Sequence, residues 1–380
     1  MTETRALTGV RVLDFSTLLP GPTASLLLQE AGATVLKIER GHGDDMRRSG
    51  DQLITASAKF AVLNGGKHSA VADLKSAVDL AAVLHLAREA DVVIEQFRPG
   101  VMASLGLGYE DLARINPGVI YCSITGYGQV GPRSQVAGHD LNYMADSGIL
   151  GQTRGVDGAP VVPPVLTADI GGGAYPAILN ILLALQLRQR TGEGRHLDIS
   201  MFDNLYVFAY SGWAQGLATG RWPQPSGEIT TGGSPRYTVY RTRDDEFLAV
   251  ACVEDRFWEI FVRVIGLELE PGEDRREPRR IMSEVATLLA ARSAAEWDEA
   301  FRGLDVCVSR VVSMEEAITT RADLGAGVVF EGDRRFGDLP LPLSDSLRIR
   351  RTARGSPQLG LPLPASWAEL AEAVPAENDR

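Results

Sequence analysis

A histidine and an aspartate are the side chains of this sequence best suited to moving a proton. His139 stands in the run Gly138-His139-Asp140-Leu141-Asn142-Tyr143, and Asp169 precedes three glycines at residues 171–173. A neutral imidazole takes up a proton near neutral pH, and its cation returns one. An imidazole and a carboxylate on opposite faces of one carbon would therefore suffice for a racemisation with two bases. Taken singly, His139 is also typical of a loop hydrogen bond and Asp169 of a helix cap.

Three basic residues each follow a run that predicts a strand of a parallel sheet. They are Arg40, Lys75 and Arg98, and Tyr127 follows a further run of this kind. Ligands of open α/β sheets bind at the carboxyl ends of the strands, so these cations predict a phosphate-binding edge in an otherwise acidic protein. The alternative is that long cationic side chains lie at strand ends because their stems cover apolar surface there. The first turn, Pro20-Gly21-Pro22, lacks the glycine fingerprint of dinucleotide binding, so neither NAD nor FAD is expected.

The composition is that of an ordinary globular protein and excludes several functions. Its 380 residues exceed the usual size of one hydrophobic core, which predicts two domains. With a net charge of -11 the chain lacks the broad basic field that nucleic-acid binding needs. The three cysteines, Cys122, Cys252 and Cys307, are too widely spaced for a metal site and fit a reducing cytoplasm. No signal peptide and no apolar run of spanning length is recognised, so a cytoplasmic protein with no membrane partner is expected.

Short β-branched runs alternate with helical patterns over the first third of the chain, which is typical of a parallel sheet with crossover helices. The predicted strands cover residues 10–15, 34–39, 69–74, 91–94 and 119–124, and the predicted helices 23–30 and 76–87. An apolar run at residues 178–187 predicts a buried helix, and the dipole of that helix would keep Asp169, near its N-terminus, ionised.

The second half of the chain has a different pattern. A turn-rich segment around residues 223–227 is typical of a linker. Beyond it we predict a hairpin at 236–241 and 247–252 and helices at 256–265, 279–292 and 295–304. The predicted fold class is therefore α/β with a parallel sheet, followed by a smaller α+β domain.

Taken in order, these motifs resemble those of the family III CoA-transferases and, within that superfamily, those of the α-methylacyl-CoA racemases. The resemblance extends along essentially the whole chain. It is carried by Leu7-Thr8-Gly9-Val10-Arg11-Val12-Leu13-Asp14, Ala72-Asp73-Leu74-Lys75, Phe97-Arg98-Pro99-Gly100, Gly126-Tyr127-Gly128, the run from Gly138 to Tyr143, Ala168-Asp169 and Thr191-Gly192-Glu193-Gly194. Each motif alone is weak, whereas the order of all of them is specific.

The resemblance implies a large CoA-binding domain at residues 1–200, with a Rossmann-like sheet that the tail at about 335–380 completes. A linker at 201–225 leads to a small domain at 226–325. Two chains of this family interlock in a homodimer, and the acyl-CoA thioester lies between the large domain of one subunit and the small domain of the other. Coenzyme A is then part of the substrate, and neither a separate cofactor nor a metal is expected.

For the site, the resemblance implies CoA contacts from the three cations and from the main chain of Ala72, Asp73 and Leu74. Tyr127 and the run Gly138, Asp140, Leu141, Asn142 and Tyr143 are implied to contact the substrate. His139 and Asp169 match the two proton carriers of the racemases, and Glu254 matches the small-domain glutamate that supports the histidine. His139 would take the α-proton of one enantiomer while protonated Asp169 delivers a proton to the opposite face. N–H groups of a glycine turn at residues 171–173 would donate to the enolate oxygen.

The same resemblance leaves a second reaction open, because the transferases use the matching aspartate, Asp169, as a nucleophile. Residues 41–67 are longer than the corresponding racemase loop, and the run Val62-Leu63-Asn64-Gly65-Gly66-Lys67-His68-Ser69 is closer to the transferase version. A CoA-binding module without catalysis is a third hypothesis. The acyl group stays open, since Tyr143, Met144 and Ile149 indicate only a hydrophobic pocket.

Overall fold

The computed structural model describes residues 5–53, 56–155, 157–320, 328–331, 334–337, 339–348 and 354–372. The chain divides into two compact units. The first unit comprises Met1–Ser147, Pro164–Phe208 and Ala322–Arg380, and the second comprises Gly148–Pro163 and Ala209–Arg321. Residues 148–163, which the sequence analysis placed within the large domain, thus group with the second unit.

The first unit contains a six-stranded parallel sheet. Its strands are β1 (Arg11–Asp14), β2 (Thr34–Glu39), β3 (His68–Val71), β4 (Val92–Glu95), β5 (Ile120–Thr125) and β6 (Arg195–Ser200). The helices between them are α1 (Pro20–Glu30), α2 (Ala58–Asn64), α3 (Ala77–Ala87), α4 (Val101–Ser104), α5 (Tyr109–Ile115), α6 (Asp140–Asp146) and α7 (Tyr175–Thr191). The strand order is β3-β2-β1-β4-β5-β6, and every neighbouring pair is parallel. This is the doubly wound, Rossmann-like order, so the predicted α/β class and parallel sheet are confirmed.

The sheet is buried, as apolar runs without alternation predict for parallel strands. Leu36, Val93 and Tyr121 belong to one continuous core with residues of α3. That helix begins where its sequence predicts, at Ser76, whose Oγ accepts a hydrogen bond from the N–H of Asp79 at 3.4 Å. The strand order reverses between β1 and β4, which locates the ligand crevice of such sheets beside the loops that follow these two strands.

Helix α7 continues from a π-helical segment, Thr167–Ala174, and together they form the apolar stretch Thr167–Thr191. By length and composition alone this stretch of 25 residues is able to cross a membrane. One face of α7 is buried and packs on β5 and β6, with Ile181 and Leu185 among its buried residues. On the other face the leucines Leu179, Leu182 and Leu183 are exposed. The helix is therefore anchored on the sheet by one side only.

The second unit has an antiparallel sheet of three strands and a core of its own. The strands are β7 (Tyr237–Arg241), β8 (Phe247–Ala251) and β9 (Val308–Arg310), with β8 in the centre. The helices are α8 (Tyr210–Thr219), α9 (Asp255–Ile265), α10 (Glu273–Arg276), α11 (Pro278–Leu289), α12 (Ala294–Phe301) and α13 (Met314–Thr319). Phe261, Leu289 and Trp297 are central to its core. The hairpin and helices α9, α11 and α12 lie where the sequence predicts them, whereas α8 lies within the predicted linker.

The C-terminal segment returns to the first unit. Strands β10 (Val328–Glu331), β11 (Arg334–Gly337) and β12 (Arg354–Gly355) form a separate three-stranded sheet, and α14 (Trp367–Glu372) follows. The indole Nε1 of Trp367 donates a hydrogen bond to the carbonyl of Leu86 at 2.9 Å, and buried Arg354 pairs with buried Glu30 at 2.8 Å. Within the described ranges, this segment adds packing around the six-stranded sheet and not a strand within it.

Candidate active site

His139 is the residue immediately before α6. Its backbone is extended, with φ -125° and ψ 174°. Its N–H donates a hydrogen bond to Oδ1 of Asn142 at 3.0 Å, and its carbonyl accepts one from the N–H of Asn142 at 2.8 Å. These two bonds fix the start of the helix, as side-chain bonds at a first turn do. The imidazole itself is exposed at this helix N-terminus.

Asp140, the first residue of α6, links that helix to the segment that carries Asp169. Its side chain is buried, and its Oδ1 accepts hydrogen bonds from the N–H groups of Ala168 at 2.6 Å and of Asp169 at 3.0 Å. The first N–H groups of a helical segment have no partner inside the helix, so this carboxylate satisfies two of them. The contact brings the two predicted proton carriers, His139 and Asp169, to the same part of the first unit. The role of Asp140 as a substrate contact stays a prediction.

The pKa of Asp169 is raised to about 6, chiefly because its partly buried carboxyl is desolvated. The negative charge of Asp140 raises this pKa further, while His139 lowers it. This finding corrects the expectation that a helix dipole keeps Asp169 ionised, since desolvation and the like charge outweigh the dipole. A carboxyl whose pKa is near 6 is able both to give and to take a proton around neutral pH.

The three glycines after Asp169 lie inside the π-helical segment. A Cβ atom on Gly171 would lie 2.6 Å from the ring of Phe208, and one on Gly172 would lie 2.4 Å from the carbonyl oxygen of Met201. Both distances are far below van der Waals contact. The backbone contact requires glycine at residue 172, whereas the half-exposed ring of Phe208 is able to move away from residue 171. The glycines thus do not form the separate oxyanion-binding turn that the sequence analysis expected.

Two buried tyrosines, Tyr143 and Tyr127, stabilise the loop that leads to His139. The hydroxyl of Tyr143 donates to the carbonyl of Gly138 at 2.6 Å, and its ring packs edge to face against Tyr127 at 5.1 Å. The hydroxyl of Tyr127 donates to Asp146 at 2.6 Å. Their partners in this structure are protein groups, and contact with the substrate stays a prediction for both, as it does for exposed Leu141 and Asn142.

The predicted CoA cations lie at the carboxyl edge of the parallel sheet, and all three are exposed. Arg40 directly follows β2 and pairs with Asp45 at 2.5 Å. Lys75 lies four residues beyond β3, which ends at Val71 and not at residue 74 as predicted. Arg98 follows β4 by three residues. The strand order β3-β2-β1-β4 places Lys75 and Arg40 after neighbouring strands, with β1 between the strands that precede Arg40 and Arg98. Phosphate binding by the three cations stays a prediction.

The main chain beside Lys75 is shaped by local hydrogen bonds. The N–H of Asp73 donates to Oδ2 of Asp79 at 2.8 Å, and the N–H of Lys75 donates to Oδ1 of Asp73 at 3.0 Å. Ala72 is buried, and Leu74 packs against the core of the sheet. The predicted nucleotide contacts are thus a loop of fixed shape beside the sheet edge.

A buried ionic cluster under the crevice was missed by the sequence analysis. Lys37 in β2 is fully buried and pairs with buried Asp44 at 3.1 Å. Asp44 in turn accepts a hydrogen bond at 3.1 Å from the N–H of Leu18, whose φ of 62° is unusual for a residue other than glycine. The cluster therefore holds the loop after β1 in a strained shape. The signal was a lysine between Leu36 and Ile38 in a strand buried on both faces, since a charge there needs a partner.

Lys67 is a further buried member of the same ionic cluster. Its Nζ donates to the carbonyl of Pro22 and to Oγ of Ser25, both at 2.8 Å, and lies 3.7 Å from Asp14. Burial lowers the pKa of Lys67 to about 7, against the opposing effect of Asp14. This lysine ties the start of α1 to the segment that resembles the transferase version.

A cavity of about 190 Å³ lies beside β4, β5 and β6. Glu95, Ser123 and His196 line it, and Oγ of Ser123 lies 2.9 Å from Nε2 of His196. Burial raises the pKa of Glu95 to about 7. Sequence reasoning missed these residues because each belongs to a different strand and no local motif joins them.

Glu254 lies in the second unit, immediately before α9. It follows β8 by three residues, as predicted, and its side chain is exposed. Its carbonyl accepts hydrogen bonds from the N–H groups of Phe257 and Trp258, both at 3.1 Å. A role in supporting His139 stays a prediction.

Within the described ranges, Cys122, Cys252 and Cys307 are all free thiols. No group of three or more His, Cys, Asp or Glu side chains in the part of the chain that the structure describes is arranged to hold a metal ion.

Comparison with known proteins identifies the family. The profile of CoA-transferase family III matches residues 7–360. The chain is similar to mouse (Mus musculus) alpha-methylacyl-CoA racemase, with 34% identity over 93% of this chain and 90% of the relative. It is also similar to acetyl-CoA:oxalate CoA-transferase of Acetobacter aceti, with 35% identity over 81% of each chain.

Among solved structures, a CaiB/BaiF family protein from Brucella suis superimposes with a TM-score of 0.76 and 27% identity, covering 95% of this chain and 96% of its own. A hypothetical protein from Mycobacterium tuberculosis gives a TM-score of 0.78 and 25% identity over 93% and 97% of the two chains. Sequence and fold therefore agree along nearly the whole length: the chain belongs to family III of the CoA-transferases.

Proposed function

We propose that this protein is a racemase or epimerase of 2-methyl-branched acyl-CoA thioesters. The observation that carries the proposal is the link through Asp140, which joins the helix of His139 to the segment of Asp169. An imidazole and a carboxyl with a pKa of about 6 form the donor and acceptor pair that a reaction with two bases needs. The racemases among the relatives support the same reaction.

The proposed reaction moves one proton in each direction. The sulfur of a thioester donates weakly to its carbonyl, so the α-hydrogen is more acidic than that of an oxygen ester. Neutral His139 takes this proton, and the electron pair of the C–H bond moves into an enolate. Protonated Asp169 then delivers a proton to the opposite face of the same carbon. The product has the inverted configuration, with His139 protonated and Asp169 ionised, and the reverse direction uses the reversed roles.

The substrate would be held by its coenzyme A portion at the sheet edge. Exposed Arg40, Lys75 and Arg98 supply positive charge for its phosphates in a protein of net charge -11. We further propose that two chains form an interlocked homodimer, in which Glu254 of one subunit supports His139 of the other. The exposed leucines on the outer face of α7 favour such a partner, because apolar groups gathered on one helix face are usually covered.

CoA transfer with Asp169 as nucleophile is the second candidate, and the transferases among the relatives favour it. In that reaction ionised Asp169 attacks the thioester carbonyl and expels the CoA thiolate, which leaves a mixed anhydride. Only the ionised carboxylate is a nucleophile, so the rate of transfer would rise with pH through about 6. Racemisation that needs protonated Asp169 would instead fall with pH above that value.

Incubation of the two 2-methylacyl-CoA enantiomers separately in D₂O distinguishes the two reactions. We expect one deuterium at the α-carbon, read by mass spectrometry, and conversion of each enantiomer into the other, read by chiral chromatography. A parallel incubation supplies a free carboxylic acid as acceptor and hydroxylamine as a trap for an acyl group on Asp169. Trapped acyl enzyme and acyl transfer without α-deuterium would reject the racemase proposal and support the transferase.

A further inference from the structure

The buried side chain of Asp140 joins two parts of the candidate site. As the first residue of α6 it follows His139 directly, and its Oδ1 accepts both N–H groups from Ala168 and Asp169. The distances of 2.6 and 3.0 Å are those of good hydrogen bonds. A carboxylate between two N–H groups is a charge-assisted contact and is roughly twice as strong as a neutral one.

This contact has two physical effects on Asp169. It fixes the main chain of Asp169 relative to the first turn of α6, and hence relative to His139. It also places a negative charge beside the Asp169 carboxyl, where a like charge disfavours ionisation. One side chain thus acts on both the position of Asp169 and its protonation.

We infer that Asp140 is a positioning residue, which clamps Asp169 to the helix of His139 and increases the protonated fraction of Asp169, the form that serves as the proton donor. The inference rests on the proposed function for the use of that proton. It differs from the substrate contact that the family resemblance implies for Asp140, because here the carboxylate acts through Asp169 and its main chain.

Among the ionisable groups around Asp169, Asp140 is the acid whose charge raises the pKa of Asp169. Of the groups that shift the Asp169 pKa, Asp140 raises it and His139 lowers it. Tyr143 faces the same carboxyl, and the pKa of the tyrosine is raised to about 12, chiefly by burial and then by the charge of Asp169. The ionisable groups on the other elements packed against the π-helical segment are Glu30, Tyr175, Arg188, Arg190, Arg195, His196, Asp198, Asp203 and Tyr206. None of these appears among the causes of the Asp169 shift.

Two substitutions separate charge from position. Asp140→Asn keeps an oxygen that accepts the two N–H groups but removes the negative charge. Asp140→Glu keeps the charge but adds a methylene group, which displaces the clamp. Asp111→Asn is the matched control, since Asp111 forms a surface ion pair with Arg114 at 3.0 Å on α5. Asp140→Ser, which also removes the charge and retains an oxygen, replaces Asp140→Asn if circular dichroism shows that the latter does not fold.

The decisive measurement is a ¹³C NMR titration of the Asp169 carboxyl in protein with labelled aspartate and no substrate. The signal is assigned as the one that Asp169→Asn removes. We expect a midpoint of about 6 in the wild type, and the same midpoint in Asp111→Asn and Asp140→Glu. In Asp140→Asn the midpoint should fall by about one pH unit, because removal of a like charge favours the ionised form. An unchanged midpoint in folded Asp140→Asn overturns the inference.

The pH profile of α-proton exchange tests the same residue in action. In the pH profile of Asp140→Asn, the limb where the rate falls as Asp169 loses its proton should shift to lower pH. In Asp140→Glu the rate should fall but this limb should not shift. A purely structural role would lower the rate in both variants and leave the limb in place, which contradicts the inference. If the wild type exchanges no α-proton but the NMR midpoint still falls in Asp140→Asn, the proposed function fails while the effect of Asp140 on Asp169 stands.

Discussion

The two proton carriers sit in different surroundings. His139 is exposed at the start of a helix, and Asp169 is partly buried beside another carboxylate. Such a pair suits a reaction in which one group begins as the base and the other as the acid, because the surroundings set the starting protonation of Asp169. This difference between the two groups is a property of single residues, because it arises from the burial of Asp169 and from the charge of its neighbour Asp140.

Replacement of the imidazole tests this division. We expect His139→Ala to slow α-proton exchange by about 10²- to 10⁴-fold, the usual contribution of a general base. The Kd of a CoA thioester, measured by calorimetry, should change little because the cations at the sheet edge are intact. His85→Ala, which removes an exposed histidine of α3, is the control. Exchange at nearly the wild-type rate in His139→Ala would eliminate His139 as a base.

At the scale of helices and strands, the sequence predicted the elements whose local pattern is strong. Strand β2 was predicted to the residue, Thr34–Glu39, because its apolar run is bounded by a glycine and a charge. Strand β6 was missed because its exposed alternate positions, His196 and Asp198, are polar and the segment therefore resembles a loop in sequence. The hairpin of the second unit was found because alternation survives in β7 and β8.

The geometry of the site was less predictable than its residue types. His139 and Asp169 were both singled out, but the hydrogen bonds that join their two segments, from the N–H groups of Ala168 and Asp169 to Asp140, span 28 and 29 residues in sequence. No local pattern reports a contact of that range. The glycines at 171–173 were interpreted as a turn, because a run of glycines is typical of turns and tight packing against Met201 is not visible in the sequence.

That packing makes a prediction about the π-helical segment. Gly172→Ala places a methyl group 2.4 Å from the carbonyl oxygen of Met201, so the segment has to shift and carry Asp169 with it. We expect a loss of about 1–3 kcal/mol in the free energy of unfolding, measured by urea denaturation, together with slower proton exchange. Gly151→Ala, where the added atom meets nothing within 4 Å, should change neither. Equal stability of the two variants would refute the packing argument.

At the scale of the whole molecule, the candidate residues are divided between two compact units. His139 and Asp169 belong to the first unit, and Glu254 belongs to the second. Chain length alone predicted two domains, but which unit completes which site depends on the assembly of chains. That relation is open to a genetic test.

Mixed dimers provide the test of the cross-subunit proposal. We expect His139→Ala and Glu254→Ala to be inactive as homodimers and to regain activity when co-expressed with different affinity tags and purified as the heterodimer. If the two residues act across the interface, one site of the heterodimer has both defects and the other has neither, so about half of the wild-type activity per dimer returns. Should a verified heterodimer stay inactive, each site has one defect and the pair acts within one subunit.

The buried ion pair between Glu30 and Arg354 has a consequence for the order in which the protein is made. The two residues are 324 positions apart, so at ribosomal rates of about 5–20 residues per second the arginine is synthesised roughly 16 to 65 s after the glutamate. The second partner of Glu30, Arg348 at 3.1 Å, is made only shortly before Arg354. For nearly all of that interval the carboxylate in the interior of the nascent first unit therefore has neither arginine, which strongly disfavours the closed core. The second unit lies between them in sequence and has all its strands and helices before Arg354 appears. The first unit is therefore the first to begin its synthesis on the ribosome and the last to complete its folding.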